Sequence, residues 1–480
     1  MDMLHNHSHG ERNTFSIDRL SDLPDSVLTH ILSFLQTKDS VRTSVLARRW
    51  RYLWAYVPTL DFDGENKDFI NKAMLLHIVE RVNTFRLLLD KDYSFHDYPL
   101  DTWTAFAIMR RVQNLDLCLR FQVALPRRLF TCKTLVHLSL TSCGAIPKSG
   151  AVCLPSLKKL HLIRVRYEAD ESLPYLISSC PVLEELLIES IMHLVSCIIS
   201  SPTIKWLTVQ FQFNRYRSYS HDYRLEINTP ALIYLNIVDG LSEHIESGPL
   251  SSLTEAYVQV HNDQEKQDDF LYSRSVLEFI DRLRHIKCLK LDLFTDIVDS
   301  AFSTSAVSFR NLTKLTLFAD CRFLSKFLQS AHNLEIVFYF EAQKRIKRWM
   351  EPQQAPGYLL SRLRTIQLFT IQREIVRYLL RNATVLEKMV VVYHCALNFE
   401  ERKYFLHEIS AFERRSEVCE LAFVNLLDWD FDGMRRTKRP DGTQRSAKMH
   451  LKTITLIDIV GTKHELEIAR YVLRRNAEVL

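Results

Sequence analysis

A short pattern, Leu-x-x-Leu-x-Leu, recurs through the middle of this chain and limits its fold more than any other feature. It runs as Leu135-Val-His-Leu-Ser-Leu140, Leu157-Lys-Lys-Leu-His-Leu162, Leu183-Glu-Glu-Leu-Leu-Ile188, Ile204-Lys-Trp-Leu-Thr-Val209 and Leu232-Ile-Tyr-Leu-Asn-Ile237. Further copies are Ile286-Lys-Cys-Leu-Lys-Leu291 and Leu312-Thr-Lys-Leu-Thr-Leu317, with degraded ones at Leu253 and Leu334. Successive starts fall roughly 20 to 30 residues apart. The alternation inside each copy is that of a short strand with one apolar face. A return segment follows each strand, helical where Leu173 to Ser179 precedes Pro181. One such unit cannot bury its own leucines, so neighbours must stack into an elongated core.

The period places residues 111–340 among leucine-rich repeats. Only Leu135 to Cys143 has the fuller form, whose closing cysteine pairs backbone groups inside the turn; elsewhere that position holds Val165, Ile191 or Asp320. An irregular solenoid is therefore expected rather than an even horseshoe. Side chains between the inward leucines face outward. Of these, Lys159, His161, Trp206, Gln210, Tyr234 and Asn236 are candidate contacts for a bound target, with Trp206 and Tyr234 foremost as aromatic anchors. Their mixed charge is equally that of a plain solvated sheet face.

Ahead of the repeats, Leu20 to Asp63 reads as a small helical module. Pro24 suits a first helical position, where a missing N–H costs nothing. Val27, Leu28, Ile31, Leu32 and Leu35 then share one helical face. Thr37 is a candidate cap for a second helix, with Val41, Val45 and Leu46 inside it. A third short helix carries Trp50, Leu53 and Trp54. Some forty residues cannot bury this many large apolar groups among themselves. The surplus surface either awaits a partner or docks on the solenoid, and spacing alone leaves both open.

The run Arg19-Leu-Ser-Asp-Leu-Pro-Asp-Ser-Val-Leu-Thr-His-Ile-Leu-Ser-Phe-Leu35, followed by Thr37-Lys-Asp-Ser-Val-Arg-Thr-Ser-Val-Leu-Ala-Arg-Arg-Trp-Arg-Tyr-Leu-Trp54, resembles a plant F-box. The resemblance implies that residues 15–63 bind the Skp-type adaptor of a cullin ubiquitin ligase. It assigns the contact to Leu23, Pro24, Leu28, Ile31, Leu32, Val41 and Val45, and gives Trp50, Leu53 and Trp54 a structural role. Residues 359–424 resemble the FBD domain that follows leucine-rich repeats in many such proteins. Its expected elements are a strand at Leu363-Arg-Thr-Ile-Gln-Leu-Phe369, a helix over Glu374 to Arg381, a strand at Val385-Leu-Glu-Lys-Met-Val-Val-Val-Tyr393, and a last strand near Ser416 to Phe423. A partial second copy spans 449–480, where Leu451-Lys-Thr-Ile-Thr-Leu456 parallels Leu363 to Leu368. The expected plan is thus an α+β repeat protein: a flexible tail (1–14), a three-helix F-box (15–63), a helical connection (64–110), leucine-rich repeats (111–340), an FBD-like βαβ segment (359–424), a basic linker (425–448) and the partial copy.

Composition narrows the function. Ten glycines in 480 residues, with no Walker or dinucleotide fingerprint, weigh against a phosphate-cradling loop. No Gly-x-Ser-x-Gly elbow, His-Glu-x-x-His or clustered Cys/His set occurs, so the chain is read as a non-catalytic receptor without metal or cofactor. The ten cysteines are scattered, with no Cys-x-x-Cys pair, which suits reduced thiols and a cytoplasmic or nuclear setting. No apolar run reaches the roughly 18–20 residues that cross a bilayer, and Met1 to Asn13 is too polar for a secretory signal. A formal charge of +5 does not by itself call for nucleic acid. The basic stretch Met434 to Arg445 reads first as a solvated connector, with nuclear import or phosphate contact as its alternatives. The expected function is target recognition within an SCF-type ligase; a non-degradative F-box scaffold and a nucleic-acid-binding solenoid are the competing readings.

Overall fold

The computed structural model describes residues 20–425, apart from residues 21, 90–98, 120–123, 190–195, 212–222, 240–241, 243, 261–268, 294–308, 342–348, 350, 352–360, 371 and 394–398. The tail expected over 1–14, nearly all of the basic linker and the partial copy over 449–480 lie outside the described residues. The chain divides into two compact units, Met1–Ala319 with Lys326–Asn333, and Asp320–Ser325 with Leu334–Leu480.

The first unit opens with helix α1, Asp25–Leu32, and helix α2, Thr37–Arg42, followed by the 3-10 segments Thr43–Val45 and Arg48–Tyr56. Helix α1 begins one position after Pro24, whose extended backbone (φ −58°, ψ 149°) turns its carbonyl to accept from Val27 and Leu28. Leu28, Leu32, Trp50, Leu53 and Val57 form the core of this module, with Leu23 packed against it. Thr37 does not cap α2 through its side chain. Its buried hydroxyl instead accepts the N–H of Asp61 at 2.8 Å.

A parallel sheet follows, its strands ordered as in the chain: Thr59–Asp63, Thr84–Leu89, Asn114–Leu119, His137–Thr141, Lys159–Ile163, Glu185–Glu189, Trp206–Gln210, Tyr234–Asp239, Glu255–Val260, Cys288–Leu293 and Lys314–Ala319. Register aligns their inward side chains into rows. Leu60, Phe85, Leu115, Leu138, Leu160, Leu186, Leu207, Leu235, Ala256, Leu289 and Leu315 make one row. The residue two places on in each strand, from Phe62 to Leu317, makes a second row, and every member of both is buried. Burying one such side chain contributes roughly 1.5–3 kcal/mol before chain entropy is set against it. This stacking of unit on unit is the core.

Two of these strands precede the boundary expected at 111. The first lies inside the range assigned to the F-box, and Thr84–Leu89 interrupts the expected helical connection, which is helical only over Lys67–Leu76 and Leu100–Met109. The physical signal was present in altered form. Val57, Leu60 and Phe62, then Val82, Phe85 and Leu87, then Val112, Leu115 and Leu117 keep the inward spacing and are all buried, with Val or Phe in place of Leu. The fuller repeat behaves as expected: Cys143 is buried and its thiol donates to the carbonyls of Leu117 and Thr141, both at 3.3 Å. Ser142 and Arg164, at equivalent strand ends, take left-handed φ of 53° and 52° and lead the chain out of the sheet. On the return side, Ser196–Ser200, Arg224–Asn228 and His244–Ser247 form a second small parallel sheet where other repeats have helices.

The second unit has parallel strands Ile336–Glu341, Thr365–Phe369, Lys388–Tyr393 and Glu420–Asn425, with helices Arg373–Asn382 and Phe399–Ser410 between them. Its inward residues repeat the same spacing: Leu363, Ile366 and Leu368, then Leu386, Met389 and Val391, all buried. The two helices are joined where Glu408 accepts from Arg373 at 2.5 Å and lies 3.5 Å from Arg377.

Candidate functional site

Helix α1 divides the apolar face read from its spacing into two. Leu28 and Leu32, four residues apart, point into the module's core. The expectation that they touch a partner is corrected: they are 0% and 1% exposed, committed to Trp50, Leu53 and Val57. Val27 and Ile31, also spaced by four, form a separate stripe open to solvent, and Leu35, just past the helix end, is exposed as well. Pro24 is exposed, Leu23 and Val41 are half-buried, and Val45 is 86% exposed. Phe34, 77% exposed with its ring 5.0 Å from that of His30, and Leu46 are further open apolar residues that the sequence did not single out as contacts. Helical spacing alone could not sort one stripe from the other, because Trp50 and Leu53, which choose the buried stripe, arrive from a different segment.

Polar contacts hold this surface in place. The Arg49 guanidinium donates to Asp25 Oδ1 at 2.8 and 2.6 Å and to the Leu23 carbonyl at 2.6 Å, tying the third segment to the start of α1. Gln36 donates to Asp63 at 2.9 Å beside the Thr37–Asp61 bond, so the module is fastened to the first strand. Buried His77 faces the Val57 carbonyl through Nε2 at 2.8 Å; burial pushes its pKa down, so a neutral ring donates there.

The outward strand face carries two rows of polar side chains. Arg86 lies between Asp61, at 3.8 Å, and Asp116, at 3.3 Å. Burial raises the Asp61 carboxyl despite that neighbour. Glu185 accepts from Lys159 at 2.6 Å and meets His161 Nε2 at 3.0 Å. Burial alone would raise Glu185, but those two hydrogen bonds outweigh it and hold its pKa below the usual value. The His137 and His161 rings meet edge to face at 4.8 Å, and burial, then His161, lowers the His137 pKa. Glu184 lies 3.9 Å from Lys158 and 3.7 Å from Lys205.

Of the residues expected to touch a target, Trp206 and Tyr234 are direct register partners, and Lys159 shares their row through Glu185. Trp206 is 42% exposed and Tyr234 half-buried. Lys159 and His161 are already engaged with Glu185. Gln210 and Asn236 are corrected: both are buried and present no surface to a target.

Among the described residues no group of three His, Cys, Asp or Glu could hold a metal ion, and no helix is long and apolar enough to cross a membrane. None of the described cysteines forms a disulfide; burial pushes the Cys143, Cys180 and Cys197 thiols up to about 12, which removes them from thiolate chemistry.

Comparison with known proteins agrees with this geometry. The F-box domain model matches residues 20–61, covering the helical module and the start of the first strand. The model for the LRR repeats of FBD-associated F-box protein At5g56370 matches residues 100–236. The chain is 30% identical over 462 residues to the F-box/FBD/LRR-repeat protein At2g26030 of Arabidopsis thaliana, covering 85% of this chain and 99% of that one. It is likewise 30% identical to the putative F-box/FBD/LRR-repeat protein At4g00315 of the same plant, covering 85% of this chain and 100% of the other. With its helical module, its in-register leucine ladder and similarity running the whole length of these relatives, the chain belongs to the plant F-box/FBD/LRR-repeat family.

Proposed function

We propose that the protein is the substrate-recognition subunit of an SCF-type cullin ubiquitin ligase, binding a Skp-type adaptor through its helical module and a target protein through its strand face. The observation that carries this reading is the set of exposed apolar side chains Val27, Ile31, Phe34, Leu35 and Val45 beside a core that is already filled by Leu28, Leu32, Trp50 and Leu53. Apolar side chains left out beside a closed core mark an interface. The contact set is then Leu23, Pro24, Val27, Ile31, Val41 and Val45, with Leu28 and Leu32 supporting it from beneath. Residues 359–424 serve as the FBD, and the protein acts in the cytoplasm or nucleus. Holding a target beside charged ubiquitin raises the effective concentration of its lysines, and no chemistry is required of this chain.

Affinity for a purified Skp-type adaptor tests the assignment. Ile31→Glu with Val45→Glu should weaken binding by about 2 kcal/mol or more, roughly thirtyfold, while circular dichroism and the unfolding midpoint stay near wild type. Leu28→Ala should instead destabilise the module by about 2–5 kcal/mol. Wild-type affinity in the Ile31/Val45 variant would reject the interface, and failure of the intact chain to recover adaptor and cullin from plant extract would reject the ligase role.

A further inference from the structure

Over the strands up to Trp206–Gln210, the cations described on the strand face are matched by carboxylates: Arg86 by Asp61 and Asp116, Lys158 and Lys205 by Glu184, Lys159 by Glu185. The last two repeats of the first unit break that balance. Lys287 immediately precedes strand Cys288–Leu293, Lys290 lies on it, and Lys314 opens the next strand as the register partner of Cys288. The N–H groups of Thr313 and Lys314 both bond the Lys287 carbonyl, at 2.9 and 3.1 Å, which sets these lysines side by side. Arg284 and Arg310 occupy equivalent places, each four residues ahead of its strand. Arg284, Lys287 and Arg310 are exposed, Lys290 and Lys314 half-buried.

No carboxylate lies within 4.0 Å of Arg284, Lys287, Arg310 or Lys314 among the described residues. Asp292 on the same strand offers no compensation: it is fully buried, and burial pushes its carboxyl well up, toward the neutral form. Glu255, the partner of Cys288 on the other side, borders the cluster. Beyond Glu255 come the aromatic groups. Tyr257 has Lys290 Nζ 4.7 Å from its ring centroid, and Tyr234 and the exposed Trp206 stand on the two strands before it.

We infer that this end of the strand face is a docking surface for an acidic segment of the target protein, with its carboxylates on Lys287, Lys290, Lys314, Arg284 and Arg310 and a neighbouring apolar side chain against Trp206 and Tyr234. The inference deepens the proposed function and rests on its reading of the strand face as the target-binding side. Arg284, Lys287, Arg310 and Lys314, which no described carboxylate approaches within 4.0 Å, draw in a negative partner and disfavour a positive one. A polypeptide fits better than a nucleic acid. The cationic ground spans two strands, about 5 Å apart, and is bordered by Glu255 and then by the charge-matched ladder, whereas a nucleic-acid backbone needs cations that follow successive phosphates.

Fluorescence anisotropy on the intact chain provides the test, using a labelled peptide rich in Asp and Glu with one Leu, its lysine-for-acid counterpart and a labelled oligouridylate. The acidic peptide should bind, weaken as salt rises, and lose about tenfold or more in affinity in the Lys287→Glu/Lys314→Glu variant. Trp206→Ala should weaken it as well, and adaptor binding should be unchanged in both variants. Equal binding of the acidic and lysine peptides, or tighter binding of oligouridylate than of the acidic peptide, overturns the inference. Loss of adaptor binding in the wild-type chain, with peptide binding intact, would sink the ligase reading and leave the docking surface standing.

Discussion

Asp292 shows how far one residue can depart from what its neighbourhood in the sequence suggests. It follows Leu291 on a strand face where most polar side chains reach solvent, yet it is fully buried and neither carboxyl oxygen has a hydrogen-bond partner. Burial pushes its pKa well above the usual carboxylate range, with nearby Lys290 pulling the other way. A folded-state pKa above the unfolded value means that the unfolded chain releases this proton first, so Asp292 lowers stability as pH rises through the unfolded carboxylate range, near 4. Asp292→Asn should therefore raise the unfolding midpoint at neutral pH, with the gain shrinking as pH falls toward that value. Thermal unfolding of both chains across acidic to neutral pH checks this; a gain independent of pH would assign the effect to packing instead. Leu28 and Ile31 teach the same lesson in apolar form. Three positions apart on one helix, they differ because only one of them meets Trp50 and Leu53.

Individual strands tolerate considerable variation, because the inward spacing matters more than the identity of the side chain. Val, Phe, Ala, Met and Tyr all stand in for leucine, at Val57, Phe85, Ala256, Met389 and Tyr339, and each is buried. This tolerance explains both why the central repeats were legible and why the first three strands and much of the second unit were less so: a search for leucine finds the consensus, whereas the fold needs only apolar bulk at two alternate positions. It also hid the join between the helical module and the sheet. Thr37 reads as a cap in sequence, but its hydroxyl serves strand Thr59–Asp63 across 24 residues. Thr37→Val keeps the shape and leaves the half-buried Asp61 N–H without this acceptor, which should cost about 1 kcal/mol in denaturant unfolding. An unchanged midpoint would show that this bond does not fasten the module to the sheet.

Across the first unit the parallel strands pair only with their chain neighbours, so its stability is close to a sum of nearest-neighbour terms. A break in the core should therefore stay local. In Leu207→Asp, which sets a charge between Leu186 and Leu235, hydrogen exchange should rise across Glu185–Glu189 and Tyr234–Asp239. Thr59–Asp63 and Thr84–Leu89 should keep their protection. A uniform rise over all strands would point instead to a single cooperative unit.

The sequence by itself determined the architecture: an apolar residue at alternate positions, repeated at a near-constant interval, has no way to leave water except by stacking copies in parallel. It also marked the helical module, because so short a segment holds more apolar surface than it can hide. Only the tertiary structure decided which side of α1 remains open, which strand-face groups are already matched by an opposite charge, and that Gln210, Asn236 and Asp292 are withdrawn from solvent. Those outcomes depend on contacts between residues tens of positions apart, where burial and pairing are set by what packs alongside and not by local spacing.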